Sequence, residues 1–157
     1  MPLRLLNIFS IFATENIMGR ILGIDYGKKR VGLAVTDPLK MFASPLETVD
    51  THKFEQFILD FLKTEQIDAF VVGYPVQMNN EPSESLRFIN PFIKRLKKQF
   101  PEKPVFMVDE RFTSQMAIRT IIEGGVKKKG RQNKSIVDKI SASIILQSFL
   151  DRKSGTQ

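Results

Sequence analysis

The sequence predicts an α/β fold: one domain in which a sheet is flanked by helices. Three observations carry this expectation. Short apolar runs of strand length cluster early, at residues 20–25 and 30–36. Later runs at 68–73 and 105–108 alternate with stretches whose apolar residues recur at spacings of three and four. The 157 residues suffice for one domain that buries about two thirds of the surface its unfolded chain would expose. No internal repeat and no second domain is visible.

Taken in order, residues 1–17 stand apart. Leu5, Leu6, Ile8, Phe9, Ile11, Phe12 and Ala13 follow Arg4 in the manner of a signal-peptide core. The stretch is shorter than the about 20 apolar residues that span a bilayer, and no Ala-x-Ala-like cleavage site follows. It reads as a non-native or disordered N-terminal extension ahead of a domain at 18–151, with 152–157 as a flexible tail. Within the domain, residues 20–25 and 30–36 form a hairpin across a glycine-containing turn, and 41–49 extend it to a meander. Phe54, Phe57, Ile58, Phe61 and Leu62 mark an amphipathic helix at 52–65. Residues 68–73 are a buried strand ended by Tyr74-Pro75, because a residue before proline is pushed towards extended backbone. Leu86, Ile89, Ile93 and Leu96 give a helix to about residue 99 that Pro91 kinks or delays. Val105–Val108 is another buried strand. Thr113 caps a helix carrying Met116, Ala117, Ile118, Ile121 and Ile122, which stops at Gly124-Gly125. A basic loop at 127–134 leads to a last helix at 135–151, with Ile136, Val137, Ile140, Ile144, Ile145 and Phe149 on its buried side.

Composition narrows the function. A 42% hydrophobic and 26% charged chain is ordinary for a soluble globular protein, which argues against a disordered or membrane protein. Without cysteine there is no disulfide framework, thiolate nucleophile or zinc finger, and a cytoplasmic setting fits. The net charge of +7 and pI near 9.7 favour polyanionic partners, nucleic acid first. Residues 1–17 hold one base (Arg4) and one acid (Glu15), so the excess does not depend on them. Neither a Gly-x-x-x-x-Gly-Lys-Ser/Thr loop nor a Gly-x-Gly-x-x-Gly fingerprint is present. His52, the single histidine, stands among polar residues as a solvated or capping side chain.

Three carboxylates stand out. Asp25 ends the apolar run of the first strand, Glu110 follows the 105–108 strand, and Asp138 opens the last helix. Acids at strand ends face the crevice where open α/β sheets bind ligands. Ser141 and Ala142, one turn on from Asp138, would let that helix press close to the sheet. An oxygen-rich cluster suits magnesium or manganese, one or two ions, and two ions about 4 Å apart can activate water and stabilise the leaving oxygen of a phosphodiester. Taken singly, the three acids have plainer readings. Asp25 is a hairpin-turn residue, Glu110 half of an ion pair with Arg111, and Asp138 a first-turn acid favoured by the helix dipole. Lys28, Arg30, Arg111 and the run Lys127, Lys128, Lys129, Arg131 and Lys134 are candidate phosphate contacts. Tyr26 either stacks on a base or sugar beside Asp25 or packs over the sheet edge.

These residues also carry a resemblance. Gly23-Ile24-Asp25-Tyr26-Gly27, Lys29-Arg30-Val31-Gly32-Leu33-Ala34-Val35-Thr36-Asp37, Val71-Val72-Gly73-Tyr74-Pro75, Asp109-Glu110-Arg111-Phe112-Thr113-Ser114 and Val137-Asp138-Lys139-Ile140-Ser141-Ala142 stand in the order of the YqgF family. Its members are pre-16S ribosomal RNA processing nucleases related to the RuvC Holliday-junction resolvase. The resemblance covers Met18 to Leu150. It departs from the family pattern at Tyr74, where Leu is commoner, and at Ser141-Ala142-Ser143, where alanines are; residues 1–17 have no counterpart.

The resemblance implies a ribonuclease H-like three-layer fold whose five-stranded mixed sheet has its second strand antiparallel. It also implies that Asp25, Glu110 and Asp138 are the catalytic, metal-binding acids. The expected function is a metal-dependent nuclease that processes the 5′ end of precursor 16S ribosomal RNA, cytoplasmic, monomeric or weakly dimeric, and associated with ribosomal assembly particles rather than membrane. The alternatives are a resolvase-like endonuclease for branched DNA and a non-catalytic RNA-binding assembly factor. Gly-Ile-Asp-x-Gly also resembles the phosphate loop of actin and sugar-kinase ATPases, but those close two such domains around ATP.

Overall fold

The computed structural model describes residues 19–75, 84–109 and 134–154. Arg20–Tyr26 (β1) and Arg30–Thr36 (β2) form the predicted antiparallel hairpin, with Asp25 opposite Gly32 and Gly23 opposite Ala34. Its tip is tight. The Gly27 N–H donates to the Arg30 carbonyl at 2.9 Å, and a Cβ on residue 27 would lie 2.6 Å from that same oxygen. Ala43–Asp50 (β3) pairs antiparallel with β2, as the meander requires. Thr51 then ties the chain back to the tip, its hydroxyl donating to the Gly27 carbonyl and its N–H to that of Lys29.

A short 3-10 turn at Thr51–Lys53, which contains His52, leads into α1 (Phe54–Thr64). Ile67–Tyr74 (β4) runs parallel to β1, and Val105–Asp109 (β5) parallel to β4. The strand order is β3-β2-β1-β4-β5, and only β2 opposes the rest. Between β4 and β5 lies α2 (Leu86–Gln99). It begins five residues before Pro91 and continues past it, so the expected late start does not occur. Pro91 is exposed, on the face opposite buried Ile89, Phe92, Ile93 and Leu96. The expected buried strand at 105–108 is one of the two edge strands of the described sheet, with Met107 53% exposed and only Val108 fully buried.

Strand alternation sorts the side chains into two layers. Leu22, Ile24, Val31, Leu33, Phe70 and Val72 meet Phe54 and Ile58 of α1 and the apolar face of α2. Ile21, Ala34, Ala69, Val71 and Val108 meet Lys134–Ser154 (α3) on the other side. The fold is therefore three-layered. Fully burying each of these Val, Leu, Ile or Phe side chains contributes about 1.5–3 kcal/mol, so both faces of the sheet are held. Thr36 is a buried polar residue, and its hydroxyl accepts the Ile21 N–H at 2.9 Å.

α3 differs from its prediction in three respects. It runs on past residue 151 to Ser154, into the segment expected as tail. Its buried residues are Ala142, Ile145, Leu146, Phe149 and Leu150, whereas Ile136, Val137, Ile140 and Ile144 are half-buried. Ile145 and Phe149 are buried as expected, and small Ala142 joins them, its carbonyl 3.2 Å from where a Cβ on Gly23 would stand. Asp138 lies in the second turn, since the helix begins at Lys134. The expected extension at 1–17, the helix from Thr113 and the basic loop at 127–133 lie outside the described residues.

Candidate metal centre between the hairpin and the last helix

The site is built by backbone contact. A Cβ on Gly32 would overlap the carbonyl group of Asp138 and come within 3.1 Å of the Lys139 nitrogen. One on Gly23 would lie 2.8 Å from Leu146 Cβ and 3.2 Å from the Ala142 carbonyl. Two glycines on adjacent strands thus let α3 rest directly on the sheet, at the cost of side chains those strands would otherwise bury. Further contacts fix its position along the sheet. The Thr48 hydroxyl donates to the Ser135 carbonyl, and the Ala43 N–H donates to Gln147 Oε1 at 2.9 Å.

This arrangement governs the candidate acids. Asp25 follows Ile21 and Gly23 on the α3-facing side of β1, and its register partner is Gly32, the residue beneath Asp138. Asp25 and Asp138 are therefore brought to the same face at the same end of the hairpin. Asp138 Oδ2 accepts a hydrogen bond from Arg30 Nε at 2.7 Å, an ion pair with side-chain exposures of 25% and 34%. Glu110 lies outside the described residues, as do Arg111, Lys127, Lys128, Lys129 and Arg131. Among the described residues no group of three or more acidic, histidine or cysteine side chains is placed to hold a metal ion. Two carboxylates on one face are nevertheless a donor set of the kind that hard divalent cations take, and their chemistry fits magnesium or manganese.

Candidate phosphate contacts are split between positions. Lys28 and Lys29 are exposed at the hairpin tip, and Lys134 is exposed at the start of α3. Tyr26 points to the face opposite Asp25, its ring stacked on Phe92 with centroids 3.9 Å apart and planes 12° apart. It borders a cleft of about 700 Å³ together with Lys28, Lys29, Thr51, His52 and Arg95. Adjacent residues Asp25 and Tyr26 thus serve different layers.

The sequence singled out the acids as candidates but not the contact roles of Gly23 and Gly32 or the Arg30–Asp138 pair. The glycines were legible in principle, because a glycine inside an apolar strand pattern signals close approach of another backbone. The pair was not, because 108 residues separate its members.

An α/β/α sandwich with sheet order β3-β2-β1-β4-β5, only the second strand reversed and an acid late in the first, is ribonuclease H-like. Solved structures agree on the fold. Thermus thermophilus RuvC in complex with Holliday junction substrate aligns at a TM-score of 0.53 and 18% identity, covering 88% of this chain and 97% of that one. A second Thermus thermophilus RuvC structure aligns at 0.50 and 16% identity, covering 87% and 97%. The family described as "RuvX: Holliday junction resolvase" matches residues 19–152, and the chain belongs to it. Among curated relatives, a Bacteroides fragilis protein named "Putative pre-16S rRNA nuclease" is 53% identical over 136 residues, spanning 87% of this chain and 99% of its own length. One of the same name from Porphyromonas gingivalis is 54% identical over 134 residues, 85% and 97% respectively. The YqgF resemblance read from the motifs and the nuclease reading both agree with these relatives.

Proposed function

We propose that this protein is a divalent-metal-dependent nuclease that hydrolyses phosphodiester bonds in precursor 16S ribosomal RNA in the cytoplasm. The observation that carries the reading is the shared placement of Asp25 and Asp138, created by the contact of Gly32 with the Asp138 backbone. The names of relatives about half identical over nearly their whole length support the substrate.

Asp25, Glu110 and Asp138 would hold one or two magnesium or manganese ions. Such ions, when bound, supply Lewis acidity to the scissile phosphate and to the attacking water. The protein's own part is to hold its carboxylates on a rigid floor, so that no reorganisation is needed as charge develops. Lys28 and Lys134, with Arg111, Lys127, Lys128, Lys129 and Arg131, would offset the charge of the RNA backbone.

The test is cleavage of a precursor 16S RNA fragment with Mn²⁺, comparing wild type with Asp25→Asn, Glu110→Gln and Asp138→Asn. Each variant should lose cleavage; Asp25→Asn should keep its melting temperature level or raise it, because fewer neighbouring carboxylates repel, whereas Asp138→Asn also weakens the ion pair with Arg30 and should melt slightly lower. Full activity in Asp25→Asn would reject the assignment. A second reading, cleavage of branched DNA, is favoured by the family description and the resolvase-like fold. A four-way junction assayed beside the RNA separates the two, and RNA binding without cleavage of either would point to an assembly factor.

A further inference from the structure

The Arg30–Asp138 pair has a geometry that neither phosphate binding nor general basicity explains. Arg30 leaves the tip of the hairpin, where its carbonyl is fixed by the Gly27 N–H at 2.9 Å and the tip is in turn tied down by Thr51. Two residues further along β2, on the same face, Gly32 meets the backbone of Asp138. The helix residue is therefore fixed twice from one strand: its main chain by Gly32, its carboxylate by Arg30. The guanidinium uses Nε, the donor nearest its stem, and engages one oxygen, Oδ2. A guanidinium carries five N–H donors in a rigid planar fork, so its direction is set once its stem is set.

We infer that Arg30 is a positioning residue that orients the Asp138 carboxylate, holding Oδ2 so that Oδ1 is presented to a divalent cation. The inference rests on the metal-centre reading above and deepens it, moving Arg30 from the phosphate contacts to the support of the acid. Carboxylates that ligate metals are themselves held by hydrogen bonds, and losing such a partner typically weakens metal affinity ten- to a hundredfold. An arginine that merely stood in for the ion would compete with it, and its removal would have the opposite effect. The sign of the change therefore separates support from competition.

The experiment measures Mn²⁺ affinity by electron paramagnetic resonance of the free ion, without substrate, for the full-length wild type, Arg30→Gln, Arg30→Lys and Asp138→Asn. Melting curves are recorded in parallel. The expected result is an affinity for Mn²⁺ about ten- to a hundredfold weaker in Arg30→Gln, with little change in melting temperature. Arg30→Lys should remain weak, because an ammonium restores charge without the fixed N–H direction. Unchanged or tighter binding in Arg30→Gln, or full recovery in Arg30→Lys, overturns the inference while a weakened Asp138→Asn leaves the metal centre standing. Equal binding in wild type and Asp138→Asn overturns both.

Discussion

Replacing Gly32 by alanine adds a single methyl group, yet it should be among the most damaging small substitutions in this chain. The methyl would overlap the Asp138 carbonyl group and press on the Lys139 nitrogen at 3.1 Å. These are main-chain atoms inside a helix, so no side-chain rotation relieves the contact and α3 itself must move. The helix is not free to do so, because Ala142, Ile145, Leu146, Phe149 and Leu150 are buried against the sheet and Gln147 is bonded to Ala43. Overpacking in a well-packed core usually costs about 1–3 kcal/mol, and a clash between backbones belongs at or above the upper end. At ~3 kcal/mol, and about 2–4 °C per kcal/mol for a domain of this size, the melting temperature should fall by roughly 6–12 °C. Cleavage should suffer more than folding, since any displacement of α3 carries Asp138 away from Asp25. Calorimetry gives the first quantity and a cleavage assay well below the new melting point gives the second. A variant that melts within about 2 °C of wild type would refute the proposed close approach.

Two further substitutions probe the far end of β2. Asp68 is 7% exposed, and its Oδ2 has no aligned hydrogen-bond donor among the described residues; its compensation is the Lys40 ammonium 3.0 Å away, acting as charge. Lys40→Ala should therefore cost about 3–5 kcal/mol in urea denaturation, and Lys40→Ala/Asp68→Ala should recover part of that loss; a neutral single variant would contradict the pairing. Asp37 accepts the N–H groups of Phe42, Met41 and Leu39. Slight burial works to raise its pKa, but these bonds outweigh it and hold the carboxyl below the ordinary 3.8. A depressed folded value means that the stabilisation is complete above the unfolded pKa and is lost as pH falls through the folded one. Asp37→Ala should accordingly destabilise the protein at pH 7 by no more than about 1 kcal/mol, since solvent screens so exposed a carboxylate, with the difference from wild type closing in strong acid; a difference constant down to pH ~2 would remove the linkage.

Local patterns carried most of the fold. The β1–β2 hairpin and the helices at 54–64 and 86–99 follow from periodicity and turn chemistry, and their limits moved by only a few residues. Two expectations failed because they depended on neighbours. An apolar run at 105–108 reads as buried, yet edge or interior position in a sheet is a property of strand order rather than of the strand. The α3 face was assigned correctly at Ile145 and Phe149 but wrongly at Ile136, Val137, Ile140 and Ile144, because helical spacing rewards large apolar residues whereas glycines on the opposing strands set the contact. The same limitation applied to the site. Asp25 and Asp138 stood out in the sequence only as candidates; that both lie on the α3 side near Gly32, and that Arg30 engages Asp138, requires the folded register.

The two glycine contacts also define a line. Gly32 touches α3 near Asp138 and Gly23 touches it near Ala142 and Leu146, so the helix rests on two fulcrums about one to two turns apart. Their height is set by covalent backbone geometry, not by how side chains happen to fill a gap. Volume changes further along, at Phe149 or Leu150, can rock the distal end of α3, but the lever arm on the Asp138 side of the pivot is short. Drift in the core composition of this layer is thereby insulated from the spacing of the acids.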